Sequence, residues 1–221
     1  VIFFIYVSLF ILNCGKAWSL IELDITRGNL NPLPLAVSPL SVDQNSKEKF
    51  KDLLKLDDIG AEISKVVENN LRQSGLFNPL DPKAFLQKPD IAHVKPRFED
   101  WALIKAQALI TGEVKIVDEK LRVEFRLWDI LAGKEIMALA FTTVSENWRR
   151  VGHIITDKVY QRLTGEKGYF DTRIIYVAEE GLKTSRIKKL AIMDQDGLNT
   201  KYLTLGNELV LTPRFNPTNQ M

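Results

Sequence analysis

The chain has 221 residues, of which 45% are hydrophobic and 26% charged, a balance typical of one or two compact globular domains. Its 30 basic and 28 acidic residues leave a formal net charge of +2, and no arginine-rich or lysine-rich arm stands out. We therefore do not expect nucleic acid to be the main partner.

The first segment has the pattern of an export signal. An unbroken apolar stretch from Val1 to Leu12 precedes Ala17-Trp18-Ser19, whose small residues suit cleavage after Ser19. The apolar run falls short of the ~20 residues that a helix needs to cross a bilayer. We predict that residues 1–19 are a signal peptide; a buried N-terminal strand or a short anchor is the alternative.

Cys14 is the only cysteine of the sequence and lies inside the predicted signal peptide. Its removal would leave no thiol, which would exclude a disulfide, a thiolate metal site and a cysteine nucleophile. Lipid attachment at Cys14 is an alternative, but Asn13 is a poor match to the small residue that such a signal requires before the cysteine.

An amphipathic segment follows the predicted cleavage site. Ile21, Leu23 and Ile25 alternate with polar residues, as in a strand with one apolar face, and the glycine, asparagines and prolines that follow predict a hinge. Such a strand can be an ordinary edge strand of its own domain, or it can add to the edge of a partner's sheet. The candidate partner-binding residues are Leu20, Ile21, Glu22, Leu23, Asp24, Ile25, Thr26, Arg27 and Gly28.

The sequence pattern at 35–82 predicts a strand, a polar stretch, a helix and an extended connection. A buried strand at 35–37 precedes a polar, lysine-rich stretch at 41–56, which predicts an exposed loop or a short helix. A helix is predicted next, capped by Asp57 or Asp58 and ended by Gly75. Prolines then predict an extended connection at 76–82.

An antiparallel meander and a long helix complete this unit. A short helix is predicted at 98–107, and three strands that alternate apolar and polar residues follow it. The last helix carries a periodic apolar face and ends at Gly165. Helices packed on a small mixed or antiparallel sheet would bury one core, which is an α+β arrangement. The predicted strands are 108–117, 120–128 and 135–144, and the helix is 146–164.

After Gly168 the pattern changes to short strands without helices. Strands are predicted at 173–178, 187–194 and 201–205, and a strand of a further repeat at 211–217. Regular spacing of short strands suits a repeated all-β architecture.

The sequence contains no recognisable catalytic or metal-binding motif. His93 and His153 lack zinc-site spacing and are predicted to be a solvated loop residue and a boundary position on an amphipathic helix. Asp194-Gln195-Asp196-Gly197 resembles part of a calcium loop, but alignment places Ile192 and Leu203 at essential ligand positions. A hairpin turn is the better interpretation, and we expect no catalytic site, cofactor or metal.

Several stretches of the sequence resemble the TolB family in order and spacing. The resemblance spans nearly the whole chain. The segment Leu211–Pro217 is similar to the opening of the family's propeller repeat. Asn216, Thr218 and Asn219 depart from the usual form of that repeat. The other matching stretches are ITRG at 25–28, PLAVSPL at 34–40, NLRQSGLF at 70–77, Trp101 with ALITG at 108–112, and LTGEKGYFDTRIIYV at 163–177.

The resemblance implies an N-terminal fragment with a fold in two parts. An arm and hinge at 20–37 would lead into an α/β domain at 35–168. Residues 169–221 would form the first blade of a six-bladed β-propeller and the start of the second.

The resemblance also implies a function. The protein would be a non-enzymatic periplasmic scaffold of the Tol-Pal system, monomeric and peripheral to membranes. It would link inner-membrane TolA to outer-membrane Pal, for outer-membrane integrity and constriction during cell division. TolA would bind the arm, Leu20 to Gly28, and Pal would bind mainly the propeller.

Two alternatives belong to other classes of protein. A periplasmic peptidase of the prolyl oligopeptidase type also carries propeller repeats, but it would need a Ser-Asp-His hydrolase domain, which a reading frame past Met221 would reveal. An envelope lipoprotein domain anchored through Cys14 is the second alternative.

We expect the mature protein to begin at Leu20, because Ala17 and Ser19 supply the small side chains that signal cleavage requires. Mass spectrometry of the exported full-length protein measures this terminus. An acylated Cys14 at the N-terminus would contradict the cleavage prediction and support the lipoprotein alternative.

Overall fold

The computed structural model describes residues 31–87 and 95–216. The first half contains β1 (Leu33–Val37), β2 (Ser41–Val42), α1 (Gln44–Leu54), α2 (Ile59–Gln73), β3 (Phe77–Pro79) and α3 (Phe98–Leu103). The second half contains β4 (Ala108–Val117), β5 (Lys120–Asp129), β6 (Lys134–Thr143), α4 (Trp148–Thr164), β7 (Arg173–Glu180), β8 (Ile187–Asp194) and β9 (Lys201–Tyr202).

The elements from β1 to β6, together with α4, form one mixed sheet with helices packed on it. The strand order is β3-β1-β4-β5-β6, and β2 pairs with β4 beyond the end of β1. β1 runs parallel to β3 and β4, whereas β4, β5 and β6 form the predicted antiparallel meander. The predicted arrangement of helices packed on a small mixed sheet is confirmed.

Alternation along β4 and β5 explains why α2 and α4 cover one face of the sheet, while α3 packs on part of the other face. Ile110, Val114, Val123 and Phe125 are buried in the same cluster as the apolar faces of α2 and α4. The residues between them point to the other side, as the period of two requires. Arg122, for example, donates to Glu124 at 2.7 Å on that side.

Capping residues mark the start of α2, and glycines follow the ends of both long helices. Asp58 Oδ1 accepts from the Ala61 backbone N–H at 3.0 Å and starts α2. Gly75, with φ of +72°, follows the end of that helix. Gly165, with φ of +77°, donates its N–H to the Gln161 carbonyl at 2.9 Å and ends α4.

Gly152 lets α2 and α4 approach closely at their crossing. A Cβ atom at this position would lie 2.9 Å from both Cβ and Cγ1 of Val66 and 3.4 Å from the Ile63 carbonyl oxygen. The crossing brings the buried Asn70 of α2 beside the buried His153 of α4.

Of the two alternatives for the stretch at 41–56, the helix is present as α1, which follows β2 and buries Phe50. Two other expectations for the mixed-sheet domain need correction. The connection at 76–82 contains β3, which pairs in parallel with β1 because Phe77 and Pro79 are buried beside it. The short helix at 98–107 ends at Leu103, since Lys105 has φ of +64°.

A separate antiparallel sheet of three strands, in the order β7-β8-β9, follows the mixed-sheet domain. The predicted strands at 173–178 and 187–194 are present, whereas the third covers only Lys201–Tyr202 instead of 201–205. From 203 to 216, where the structure describes the chain, no further strand is formed. The domain boundaries at 35–168 and 169–221 stay predictions.

Several expectations fall outside the described residues. These are the signal peptide at 1–19, the arm at Leu20 to Gly28, His93 and the repeat positions Thr218 and Asn219. Of the helices in the described part of the chain, none combines the length and apolar character that crossing a membrane demands.

We expect Gly152→Ala to lower the free energy of unfolding by about 1–3 kcal/mol, because the added methyl group would overlap Val66 at the helix crossing. Chemical denaturation measures the change. Lys158→Ala, on the exposed side of the same helix, is the control and should change stability by less than about 0.5 kcal/mol. Equal effects for the two variants would contradict the close contact.

Candidate functional site

The start of β1 shows where the N-terminal arm joins the fold. Asn31 and Pro32 are exposed, and Leu33 is buried with its N–H donating to the Leu76 carbonyl at 2.9 Å. β1 is paired on both sides. The point of attachment is therefore fixed by the sheet, while the predicted partner-binding residues, Leu20 to Gly28, and the predicted cleavage residue Ser19 lie outside the described residues.

The connector, residues 165–172 between α4 and β7, is bound along α4. Asp157 Oδ1 accepts from the Phe170 N–H at 2.7 Å, and its Oδ2 accepts from the Asp171 N–H at 3.1 Å. A Cβ at Gly168 would lie only 2.2 Å from Asp157 Oδ1. One carboxylate thus satisfies two backbone donors of the connector, where a glycine allows the close approach.

Aromatic contacts also hold the connector against α4. Phe170 is fully buried, with its ring centre 5.7 Å from that of Tyr160 and 4.4 Å from that of Tyr169. Burial raises the pKa of the Tyr160 hydroxyl, and the neighbouring Tyr169 and Glu166 raise it further.

An ion pair joins the end of the connector to the first turn of α4. Arg150 Nε and Nη2 donate to the two carboxylate oxygens of Asp171 at 3.0 and 3.1 Å. This bidentate hydrogen bonding raises the pKa of Arg150, and the negative charge of Asp171 adds to the effect.

A polar cluster joins the helices to the turn after β8. We call it the junction cluster, and its members are Asn70, Arg149, His153, Asp194, Gln195 and Asp196. Arg149 Nη2 donates to Asp196 Oδ2 at 2.5 Å, and Gln195 Nε2 donates to Asn70 Oδ1 at 3.1 Å. The cluster links residues of α2 and α4 to the three-stranded sheet.

His153 lies inside this cluster and is only 2% exposed. Its Nδ1 lies 2.9 Å from Asn70 Nδ2, which also donates to Thr156 Oγ1 at 3.3 Å. An amide nitrogen only donates, so with Asn70 in this orientation the neutral ring carries its proton on Nε2. That atom has no hydrogen-bond partner among the residues that the structure describes.

The prediction that His153 is a boundary residue is therefore wrong. The helix face that carries it is covered by α2 and by the turn after β8, which the helical pattern of one segment does not reveal. The Asp-Gly turn itself is confirmed, since Gly197 has φ of +81° and donates to the Asp194 carbonyl at 3.0 Å.

Two carboxylates of the turn face the imidazole. Asp194 Oδ2 and Asp196 Oδ2 lie 3.6 and 4.0 Å from His153 Nε2. One ligand atom from each of these three residues lies within 4.8 Å of the others, so the group has the donor atoms to hold a metal ion. Asp194 ends β8 and Asp196 lies in the turn after it, so no strand or helix period of the sequence predicts that both carboxylates face the imidazole.

The junction cluster connects two parts of the chain, and comparison with known proteins finds a family match in each of them. The family described as TolB amino-terminal domain matches residues 21–136, and the one described as TolB beta propeller domain matches residues 160–221. The chain belongs to the TolB family. The resemblance predicted from the sequence is confirmed.

A curated TolB relative and a solved TolB structure agree with this assignment. The Tol-Pal system protein TolB of Pelagibacter ubique (strain HTCC1062) is 81% identical over 213 residues, which cover 96% of this chain and 48% of the relative. The chain thus spans about half the length of this TolB protein. The crystal structure of TolB from Acinetobacter baumannii matches 83% of this chain and 41% of its own, with a TM-score of 0.62 and 22% identity. At that identity the match shows a shared TolB fold.

We expect Asp157→Ala to destabilise the TolB connector, because two backbone N–H groups would lose their acceptor, at a cost of about 2 kcal/mol. Limited proteolysis should cut the variant faster within 165–172, and chemical denaturation should show the loss. Arg150→Ala is the matched control, since its partly exposed ion pair contributes less than about 1 kcal/mol. Equal cleavage of wild type and Asp157→Ala would contradict the proposed role of the carboxylate.

Proposed function

We propose that this chain is part of a non-enzymatic, periplasmic scaffold of the Tol-Pal system that links TolA to Pal and supports outer-membrane integrity and constriction during division. The observation that carries the proposal is the 81% identity to a Tol-Pal system protein TolB. The two family matches, which together cover most of the chain, support it as well.

The arm at Leu20 to Gly28 is the proposed TolA-binding segment. Its apolar residues alternate with polar ones, so an extended arm would present one apolar face and a free backbone edge to a partner's sheet. The fold supports this role because the chain is exposed at Asn31 and Pro32, directly before it becomes fixed in β1.

The arm would act as a switch between docking on its own body and binding TolA. Burial of three apolar side chains gains only a few kcal/mol before the cost of ordering the backbone is subtracted. An equilibrium so nearly balanced responds to a ligand that prefers one of its two states. Pal, bound mainly to the propeller, would be such a ligand.

The bound connector and the junction cluster support communication between the propeller and the α/β domain that carries the arm. Asp157 fixes the connector on α4, and Gln195 and Asp196 contact Asn70 and Arg149. A displacement of the first blade would therefore act directly on the helices of the α/β domain.

Substitutions on the two faces of the arm test the TolA assignment in the full-length protein. We expect replacement of Ile21, Leu23 and Ile25 by Ser to weaken TolA binding at least tenfold, since each buried aliphatic side chain contributes about 1.5 kcal/mol or more. Titration calorimetry with the purified periplasmic part of TolA measures the affinity.

The matched control replaces Glu22, Asp24 and Thr26 by Ser and should change the affinity by less than about threefold, because the polar face stays solvated. Unchanged TolA affinity after deletion of residues 20–28 would rule out the arm as the binding segment.

A further inference from the structure

We propose that His153, Asp194 and Asp196 form a binding site for a divalent transition-metal ion, for which Zn²⁺ is the best match. The group brings together one neutral nitrogen donor and two carboxylates. The imidazole is almost fully buried and aims Nε2 at both carboxylates, with no hydrogen-bond partner for that atom among the described residues. The proposal does not rest on the Tol-Pal assignment.

The distances are close to those of a tetrahedral site. With metal–ligand bonds of about 2.0–2.2 Å, neighbouring ligand atoms of such a site lie about 3.4 Å apart. His153 Nε2 lies 3.6 Å from Asp194 Oδ2 and 4.0 Å from Asp196 Oδ2. All three ligand atoms lie within 4.8 Å of one another, so side-chain shifts would bring them to binding distance and leave a fourth position for water.

The chemistry of the donors distinguishes this site from a calcium loop. Ca²⁺ and Mg²⁺ are held by six or more oxygen ligands, whereas imidazole nitrogen suits Zn²⁺ and its neighbours in the first transition series. The turn at 194–197 lacks the other ligands of a calcium loop, and the partner it gains in the fold is a histidine.

Asn70 and Gln195 would orient the imidazole as a metal ligand. A ligating Nε2 must be deprotonated, which places the ring proton on Nδ1 and requires an acceptor there. Asn70 supplies this acceptor if its amide turns over, so that Oδ1 faces Nδ1. Gln195 can turn over with it, because its own amide oxygen then accepts from Asn70 Nδ2.

Arg149 is the internal competitor of the metal ion. Its guanidinium donates to Asp196 Oδ2 at 2.5 Å and lies 3.4 Å from Asp194 Oδ2, so it neutralises part of the charge that a cation would bind. The side chain is 18% exposed, which gives the guanidinium a path toward solvent when a metal ion replaces it. The proposal therefore predicts that loss of this arginine strengthens metal binding.

Titration of the full-length, metal-stripped protein with ZnCl₂ tests the site. Relative to wild type, we expect His153→Ala and Asp196→Asn to weaken zinc binding at least tenfold, and Arg149→Gln to tighten it about tenfold. His93→Ala and Arg150→Ala are the matched controls, because they remove a histidine and an arginine that lie outside the three-residue group, and should leave the affinity unchanged. Calorimetry gives the affinities.

Co²⁺ provides a second, spectroscopic readout. Bound Co²⁺ in Arg149→Gln should show the intense visible absorption of four-coordinate cobalt, and this absorption should be absent when His153 is also replaced by Ala. Zinc affinity that is equal in wild type and His153→Ala, or an Arg149→Gln variant that binds neither metal, would overturn the proposal.

Discussion

The close approach of α2 and α4 on one face of the mixed sheet is the constraint on which the rest of the molecule depends. Gly152 permits this approach because any side chain at its position would meet Val66. Contact at this crossing buries the apolar faces of both helices against β4 and β5. It also fixes Asn70 and His153 beside each other, so a packing requirement of the core determines the geometry of a polar group at its edge.

The same helix positions the chain that follows it. α4 supplies Asp157 and Arg150 to the connector and Arg149 and His153 to the turn after β8. Backbone donors, an ion pair and buried aromatic rings all restrain the connector along one side of this helix. These contacts hold the connector on α4, because its release would leave two backbone donors without an acceptor.

Local patterns predicted most of the fold, and contacts distant in sequence account for what they missed. Alternation and capping are properties of neighbouring residues, so they could be predicted from the sequence. Examples are the strand at 108–117, the N-cap at Asp58 and the helix end at Gly165. β3 has three residues and owes its existence to pairing with β1, so no periodicity marks it. His153 carries the pattern of a helix boundary, and its burial depends on a turn that lies beyond the end of α4.

Charge compensation accounts for the arrangement of the junction cluster. Asp194 and Asp196 bring two carboxylates to a nearly buried position, and such groups are costly unless a cation or strong donors compensate them. Arg149 contacts both of them, through Nη2 to Asp196 at 2.5 Å and through Nε to Asp194 at 3.4 Å, and Asn199 donates to Asp194 at 3.2 Å. A divalent ion held by His153, Asp194 and Asp196 would have to displace the guanidinium, so the same contacts that compensate the carboxylates would oppose metal binding.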